Sequence, residues 1–473
     1  MNNFYDILNF FFLIYGSLLF LSYMFMAIIS SIDLSFYTKK SKHFRFKTIK
    51  EYKVLPSISI IAPAYNEEAS IIQNIRSLLS LDYPKVEVIV VNDGSKDNSL
   101  QKVIDYYSLA KVDYAFKQNI DTEKIRGIYK STNVAYLNLI YVDKENGGKA
   151  DALNAGINIS RSELFLAIDV DCIIEPDAIL KMVKPFIEED KKKVIAAGGV
   201  VRVANSCEIK DGRVVNVNFP KNIWAKFQVL EYFRAFTLGR MAWSRINGLL
   251  IISGAFGLFD KKIAMAVGGY DRTTVGEDFE LVIRMRKYMH EKTKQKYKVA
   301  FIPDPLCWTE VPSKLQTLKN QRNRWTRGSI DTVLKHKNML FNPKYGKMGL
   351  LSFPYWVAFE WLAPIIETLG LIYFFIMLTF ASINVEIFLI LLLFVFSFSL
   401  FFSSFAIFYE TLIFNRYKGY KFLFSVIFIS ILEIIIYHPL NVYFSIVGNY
   451  SYFIKGDKKG WGKMTRTAFD KSN

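Results

Sequence analysis

Five short constellations hold the side chains best able to do chemistry, and they follow one another along the chain. Asn92-Asp93-Gly94-Ser95 comes directly after an apolar run that reads as a strand. An acid there sits at the carboxyl edge of a sheet, where it can accept hydrogen bonds from a nucleotide base or ribose. The plain alternative is an Asn-Asp-Gly turn. Asn146-Gly147-Gly148-Lys149 opens an amphipathic helical pattern through Asn154, so amides, helix dipole and ammonium can converge on phosphate. It is not a Walker A loop, because that spacing is missing. Asp169-Val170-Asp171 closes the run Glu163–Ile168. Strand alternation would put both carboxylates on one face, and like charges that close call for a cation. Hard oxygen donors beside a phosphate suit Mg2+ or Mn2+ rather than zinc; a solvated acidic turn is the alternative. Gly276-Glu277-Asp278 supplies another acid. Finally, Gln321, Arg324 and Trp325 lie at i, i+3 and i+4, one face of a helix. That face offers an amide, a guanidinium suited to phosphate and an aromatic platform for a sugar ring, or else it is a basic helix lying on a membrane surface.

Elements able to position these groups are legible around them. From Pro56 to about Asn342, short β-branched runs (SISIIAP, VEVIVVND, YLNLIYV, ELFLAID) alternate with helical patterns at Ala69–Leu79 and Asp97–Ala110. Such alternation predicts βαβ units and a mostly parallel sheet, with ligands at the strands' carboxyl ends. The stretch Ala110–Ala135 has no clear period and receives no role.

Composition narrows the class. The chain has 473 residues, 52% hydrophobic and 22% charged, a mixture that predicts a globular part joined to apolar spans. Cys172, Cys207 and Cys307 form no CxxC pair, and four histidines form no HExxH, so a disulfide scaffold and a zinc hydrolase are set aside. The net charge of +17 gathers at the edges of the apolar blocks rather than along an aromatic-laced groove, which argues for membrane and phosphorylated substrate over nucleic acid.

A first apolar stretch, about Asn9–Ile32, is long enough to cross a bilayer. Lys39, Lys40, Lys42, Arg45, Lys47, Lys50 and Lys53 follow it, so the positive-inside rule puts everything from Thr38 onward in the cytoplasm. Three more apolar blocks occupy about Leu350–Ala381, Ile387–Phe414 and Phe422–Tyr450. The linker 415–421 and the tail Lys455–Arg466 are both basic and both predicted inside, yet three simple spans would put the tail outside. Either the last block is a hairpin broken near His438-Pro439, or Leu350–Ala381 is partly interfacial. Glu360, Glu367, Glu410, Glu433 and His438 lie in or beside these blocks, where some would line a polar glycan path, the alternative being interfacial placement or neutral pairing. The aromatic segment Trp224–Trp243, with Arg234 and Arg240, reads as an amphipathic surface helix.

Taken together, NDGS, NGGKADALN, DVD, GED and QRNRW, in that order between membrane blocks, resemble the processive family 2 glycosyltransferases that make cellulose, hyaluronan, chitin and poly-N-acetylglucosamine. The likeness covers roughly residues 56–340. It implies an α/β, GT-A-type nucleotide-sugar-binding domain flanked by transmembrane helices: an N-terminal span in 1–37, a cytoplasmic catalytic domain with interfacial helices in 38–345, a transmembrane region in 346–454 and a basic cytoplasmic tail in 455–473. It also implies that Asp93, Lys149, Asp169, Gln321 and Arg324 bind a UDP-sugar, and that Asp169 and Asp171 hold Mg2+ or Mn2+. Asp278 would be the general base, and Ser253, Gly254 and Trp325 would meet the acceptor. Cellulose synthases commonly have Thr where Gly276 stands, which loosens that analogy. The implied enzyme is a multi-pass inner-membrane hexosyltransferase. It would polymerise a β-glucan or a β-linked N-acetylglucosamine chain by inversion and export it across the membrane lipid. The alternative is a transferase adding one sugar to a lipid. An accessory export or regulatory subunit completes the expected partners, since the chain leaves no room for a cyclic-dinucleotide-binding barrel.

Overall fold

The computed structural model describes residues 2–42, 55–188, 191–210, 212–380 and 385–458. Arg45, Lys47, Lys50 and Lys53 of the basic run, and the tail beyond Lys458, lie outside the described residues. The chain divides into two compact units, one helical (Met1–Lys42, Asn222–Gly248, Ser313–Asp457) and one α/β (within His43–Lys221 and Leu249–Pro312). The helices at 222–248 and 313–345, expected as parts of the catalytic domain, thus group with the apolar helices.

The α/β unit contains strands β1 (Ile58–Ala64), β2 (Val86–Asp93), β3 (Leu109–Val112), β4 (Ile125–Ser131), β5 (Leu139–Lys144), β6 (Leu164–Ile168), β7 (Ile173–Ile174), β8 (Lys193–Val203), β9 (Glu208–Lys210), β10 (Arg213–Asn216), β11 (Phe256–Asp260) and β12 (Tyr297–Thr309). Ten of them form one sheet in the order β3-β4-β5-β2-β1-β6-β11-β8-β12-β7. Its centre, β5-β2-β1-β6, is parallel. Both β1 and β6 are buried along nearly their whole length, as uninterrupted apolar runs must be when a sheet is covered on both faces. Antiparallel β11 follows β6, so the carboxyl end of β6 meets the start of β11 with Phe256 opposite Ile168. That register brings the loop before β11, residues 253–255, beside Asp169. The unassigned stretch 110–135 proves to be β3, a connection and β4. The connection lies on the Lys149–Ile159 helix, whose Asn158 side chain accepts from the amides of Asn119 and Ile120.

In the helical unit, Asn2–Lys42 packs on both of the next long apolar helices. Phe12 stacks on Tyr373, and the Tyr15 hydroxyl donates to the carbonyl of Ala358, which sets Ala363–Phe380 antiparallel to it. Phe20 meets Phe394 and Phe398, and Tyr23 meets Phe402, which sets Val385–Tyr409 parallel to it. Among the described residues, three helices are long and apolar enough to cross a membrane, or four if the pair Met348–Trp361 and Ala363–Thr379, bent by 45°, counts as one span. No hairpin forms at His438-Pro439: residues Tyr420–Phe453 are one helix. A wider turn at Glu433–Tyr437 precedes Pro439, which relieves the clash a proline makes with the preceding turn. Two of the acids among these helices, Glu433 and Glu367, are paired. Arg234 holds Glu433 with two nitrogens, at 2.7 and 3.2 Å, and His438 meets Glu367 at 2.9 Å.

Candidate active site

The carboxyl ends of β2, β5 and β6 and the loop before β11 bring together most of the groups singled out in the α/β unit. Asp93, the last residue of β2, is buried. Its Oδ1 accepts from Lys144 Nζ at 2.7 Å and from the Gly147 amide at 3.0 Å, and its Oδ2 accepts from the Gly148 amide at 2.8 Å. The two loop amides expected to face phosphate therefore serve Asp93 instead. A strand-end carboxylate satisfies them before any ligand arrives, because buried amides do not stay unpaired.

Lys144 was not anticipated. Its ammonium is fully buried between Asp93 and Asp151, 2.7 and 2.6 Å away. Asp151 is equally buried and also accepts from Arg272 at 2.5 Å and from the Glu123 amide. This chain of charges fixes the loop from both sides. Gly147 can have no side chain, since a Cβ would stand 2.5 Å from Asp151 Cγ, and Gly148 has φ +87°, which L side chains rarely adopt. Only the strand-end lysine next to NGGKAD hinted at the network, and a buried lysine is not legible from composition.

Lys149 leaves that loop toward Asp169. Its ammonium pairs with the Asp169 carboxylate, donates to the Gly254 carbonyl at 3.1 Å and stands 4.0 Å from Glu277. Burial by itself would depress this ammonium's pKa, but Asp169 and then Glu277 outweigh it and hold it above its ordinary value. Gly254 has a second partner: its amide donates to Asp278 Oδ2 at 2.8 Å. Asp278 stands in the first turn of the Glu277–Tyr288 helix, where its other oxygen accepts from the Phe279 amide at 2.9 Å. One glycine peptide thus ties together Lys149, Asp169 and Asp278. Ser253 adjoins it, its hydroxyl accepting from the Ala255 amide.

Asp169 and Asp171 are neighbours, though not by strand alternation. β6 ends at Ile168, and a turn closed by the Cys172 amide donating to the Asp169 carbonyl at 3.0 Å folds the two carboxylates together. Ligand atoms of Asp169, Asp171 and Cys172 all lie within 4.8 Å of one another. A hydrogen bond with Cys307, then burial, keeps the Cys172 thiol well above its ordinary pKa. The two carboxylates beside it are hard oxygen donors, a set that fits a hard divalent cation with room for water or phosphate oxygens.

Gln321, Arg324 and Trp325 belong to the helical unit, on the Leu315–Lys335 helix that their spacing predicted. Trp325 is exposed. Arg322, between them in sequence, was missed: it pairs bidentately with Glu231 at 2.5 and 2.8 Å, donates to the Tyr437 hydroxyl at 3.0 Å and packs on the Trp325 ring. Burial would lower its pKa, but Glu231 raises it further. Of the two arginines in QRNRW, this one braces the helix.

Residues 56–328 match the family described as Glycosyltransferase like family 2. The poly-beta-1,6-N-acetyl-D-glucosamine synthase of Staphylococcus epidermidis is 28% identical over 333 residues, covering 70% of this chain and 69% of that protein. The enzyme of the same description from Staphylococcus aureus (strain COL) is 26% identical over 317 residues, covering 67% and 65%. Among solved structures, the mannosyltransferase PcManGT from Pyrobaculum calidifontis, in complex with GDP-Man and Mn2+, aligns with 86% of this chain and 98% of its own at a TM-score of 0.50 and 16% identity. At that identity the likeness is one of fold, and the fold is GT-A. With the family match spanning more than half of its length, this chain belongs to glycosyltransferase family 2 and is a sugar transferase.

Proposed function

We propose that the protein polymerises a β-linked N-acetylglucosamine exopolysaccharide from UDP-N-acetylglucosamine. The names of its relatives favour this sugar over glucose, which the motifs alone leave open. The observation that carries the catalytic reading is the Gly254 peptide, which holds Asp278 by its amide and Lys149 by its carbonyl, while Lys149 also holds Asp169. A base, a cation and a metal-binding carboxylate are thereby gathered around one glycine.

In the proposed reaction Asp278 takes the proton of the acceptor hydroxyl as its oxygen bonds to the anomeric carbon. The bond from that carbon to the diphosphate oxygen breaks with its electron pair, and UDP departs. A single displacement inverts configuration, so an α-linked donor gives a β-linked product. General-base help of this kind is worth about 10²–10⁴-fold, and charge placed at the departing diphosphate adds to it. Lys149 supplies one such charge. A divalent cation, Mg2+ or Mn2+, would be held by Asp169 and Asp171 and would neutralise diphosphate oxygens. The family resemblance assigns Gln321 and Arg324 to the diphosphate and Trp325 to the acceptor sugar. Asp93 acts on the donor through the loop it holds, in addition to any contact with the base.

The basic run after the first helix supports a cytoplasmic catalytic unit in the inner membrane. The apolar helices support passage of the product outward, with membrane lipid around them. The test is label incorporation in vesicles holding the protein, with UDP-N-acetylglucosamine against UDP-glucose. High-molecular-weight label from the first donor, lost in Asp278→Asn while UDP binding persists, is the expected result. Label confined to a solvent-extractable lipid would replace polymerisation by single addition.

A further inference from the structure

We infer that the last apolar helix, Tyr420–Phe453, does not cross the membrane but lies in its cytoplasmic headgroup layer, its apolar stripe against anionic lipid. The observations all belong to the helical unit. This helix is 34 residues long, about 51 Å at 1.5 Å per residue, against a hydrocarbon core of about 30 Å. It runs beside the Leu315–Lys335 helix in the same chain direction. Leu318 packs with Ile429 and Tyr437, Arg322 donates to Tyr437, Asn323 donates to Ser451 at 3.0 Å, and Tyr452 donates to Asp331 at 3.1 Å. Beyond its end, Arg327 pairs with Asp457 at 3.0 Å.

That companion carries Lys319, Arg322, Arg324, Arg327, Asp331 and Lys335. A crossing Tyr420–Phe453 would draw this row of charges into the hydrocarbon with it, and charged groups there are costly. In the headgroup layer the same charges stay hydrated. Phe424, Phe428, Ile435, Tyr443 and Tyr450 are exposed at helical spacing, while Glu433, Asn449 and Ser451 are buried on the other side. An apolar stripe opposite a charged companion is the pattern of a helix lying in the interface. Trp361, whose indole donates to Asn449 at 3.0 Å, is the residue type that prefers headgroup depth.

The charge pattern then becomes consistent. Asn2–Lys42, Ala363–Phe380 and Val385–Tyr409 alternate in direction, as successive crossings do. Three crossings from an outside N-terminus leave Arg416, Lys418 and Lys421 in the cytoplasm. If the next helix does not cross, Lys455 and Lys458 are there too, and both basic flanks meet the anionic leaflet.

Single cysteines at Lys418 and Lys455 in the full chain test this with a membrane-impermeant maleimide, the unchanged protein serving as blank. Both positions should label in inside-out vesicles and neither in right-side-out vesicles; labelling from opposite sides overturns the inference. Nitroxides at Phe424 and Tyr450 give an independent reading on depth. Accessibility to oxygen and to a polar nickel chelate should report equal, shallow immersion of both. In a crossing helix two sites 26 residues apart would sit at opposite faces. Neither readout depends on which sugar is transferred.

Discussion

Replacing Lys144 by Met removes the ammonium that separates Asp93 from Asp151 and keeps most of the side chain's length. All three groups are buried, at 2.7 and 2.6 Å. Breaking a buried ion pair by deleting one partner costs about 3–5 kcal/mol, because the other charge is left without compensation. Here two carboxylates lose their shared cation. Asp93 keeps the Gly147 and Gly148 amides, and Asp151 keeps Arg272 and the Glu123 amide. These remaining donors put the expected loss at the lower end, about 3 kcal/mol. For a domain of this size that corresponds to about 6–12 °C in thermal midpoint, at roughly 2–4 °C per kcal/mol. The assay is tryptophan fluorescence of the purified, detergent-solubilised protein on heating at a fixed scan rate. A second readout is the donor's KM, which should rise in the variant because Lys149 is carried by the same loop. Adding Asp93→Asn should cost less than the sum of the two single changes, as expected for groups in one network. A Lys144→Met protein melting within about 2 °C of the parent would refute the network as the brace of the donor loop.

Gly254→Ala puts a methyl group 3.1 Å from Asp278 Oδ2 and 3.3 Å from Lys149 Nζ; small displacements of catalytic groups are expensive, so kcat should fall about 10–100-fold with the thermal midpoint nearly unchanged. Lys149 has its pKa raised in the folded protein, so its contribution is complete below the usual lysine value and disappears only as pH rises through the raised one. Lys149→Met should therefore lower kcat/KM while leaving the shape of the pH–rate profile between about pH 6 and 9 unaltered. Arg322→Lys keeps the charge but loses the two-pronged grip on Glu231, costing about 1.5–3 kcal/mol of stability, read as a lower melting temperature in detergent.

The groups that gather at the candidate site were more legible than the scaffolding around them. Asp93, Asp169 and Asp171 could be picked because apolar strands announce their own ends, and Lys149 and Asp278 because each stands at the start of a helix. Which of these groups touch each other could not. The pairing of Asp278 with Gly254 depends on β11 entering the sheet antiparallel beside β6, a long-range event no local pattern records. The aspartates of DVD were expected together for the wrong local reason, since a turn rather than a strand joins them. Lys144 and Arg322 escaped notice because a charged side chain reads as surface until its buried partners, here Asp93 with Asp151 and Glu231 with Tyr437, are known. The last apolar helix shows the converse: hydropathy reports its exposed stripe, but not the charged companion along its other side.

The helical unit is assembled from three separated lengths of chain, and this has consequences for biogenesis. The first helix leaves the ribosome long before its partners Tyr373, Phe394 and Phe402 exist. All twelve strands of the described residues are synthesised in between, and during that time the first helix can meet only the segment 222–248, where Met26 packs with Ala242 and Ser30 bonds to Thr237. Contacts that far apart in sequence form late and slowly. Truncation within residues 313–457 would thus keep every strand of the sheet while leaving the first helix with only the partners in 222–248, so incomplete packing of the helical unit, rather than loss of the sheet, would decide the fate of such a chain.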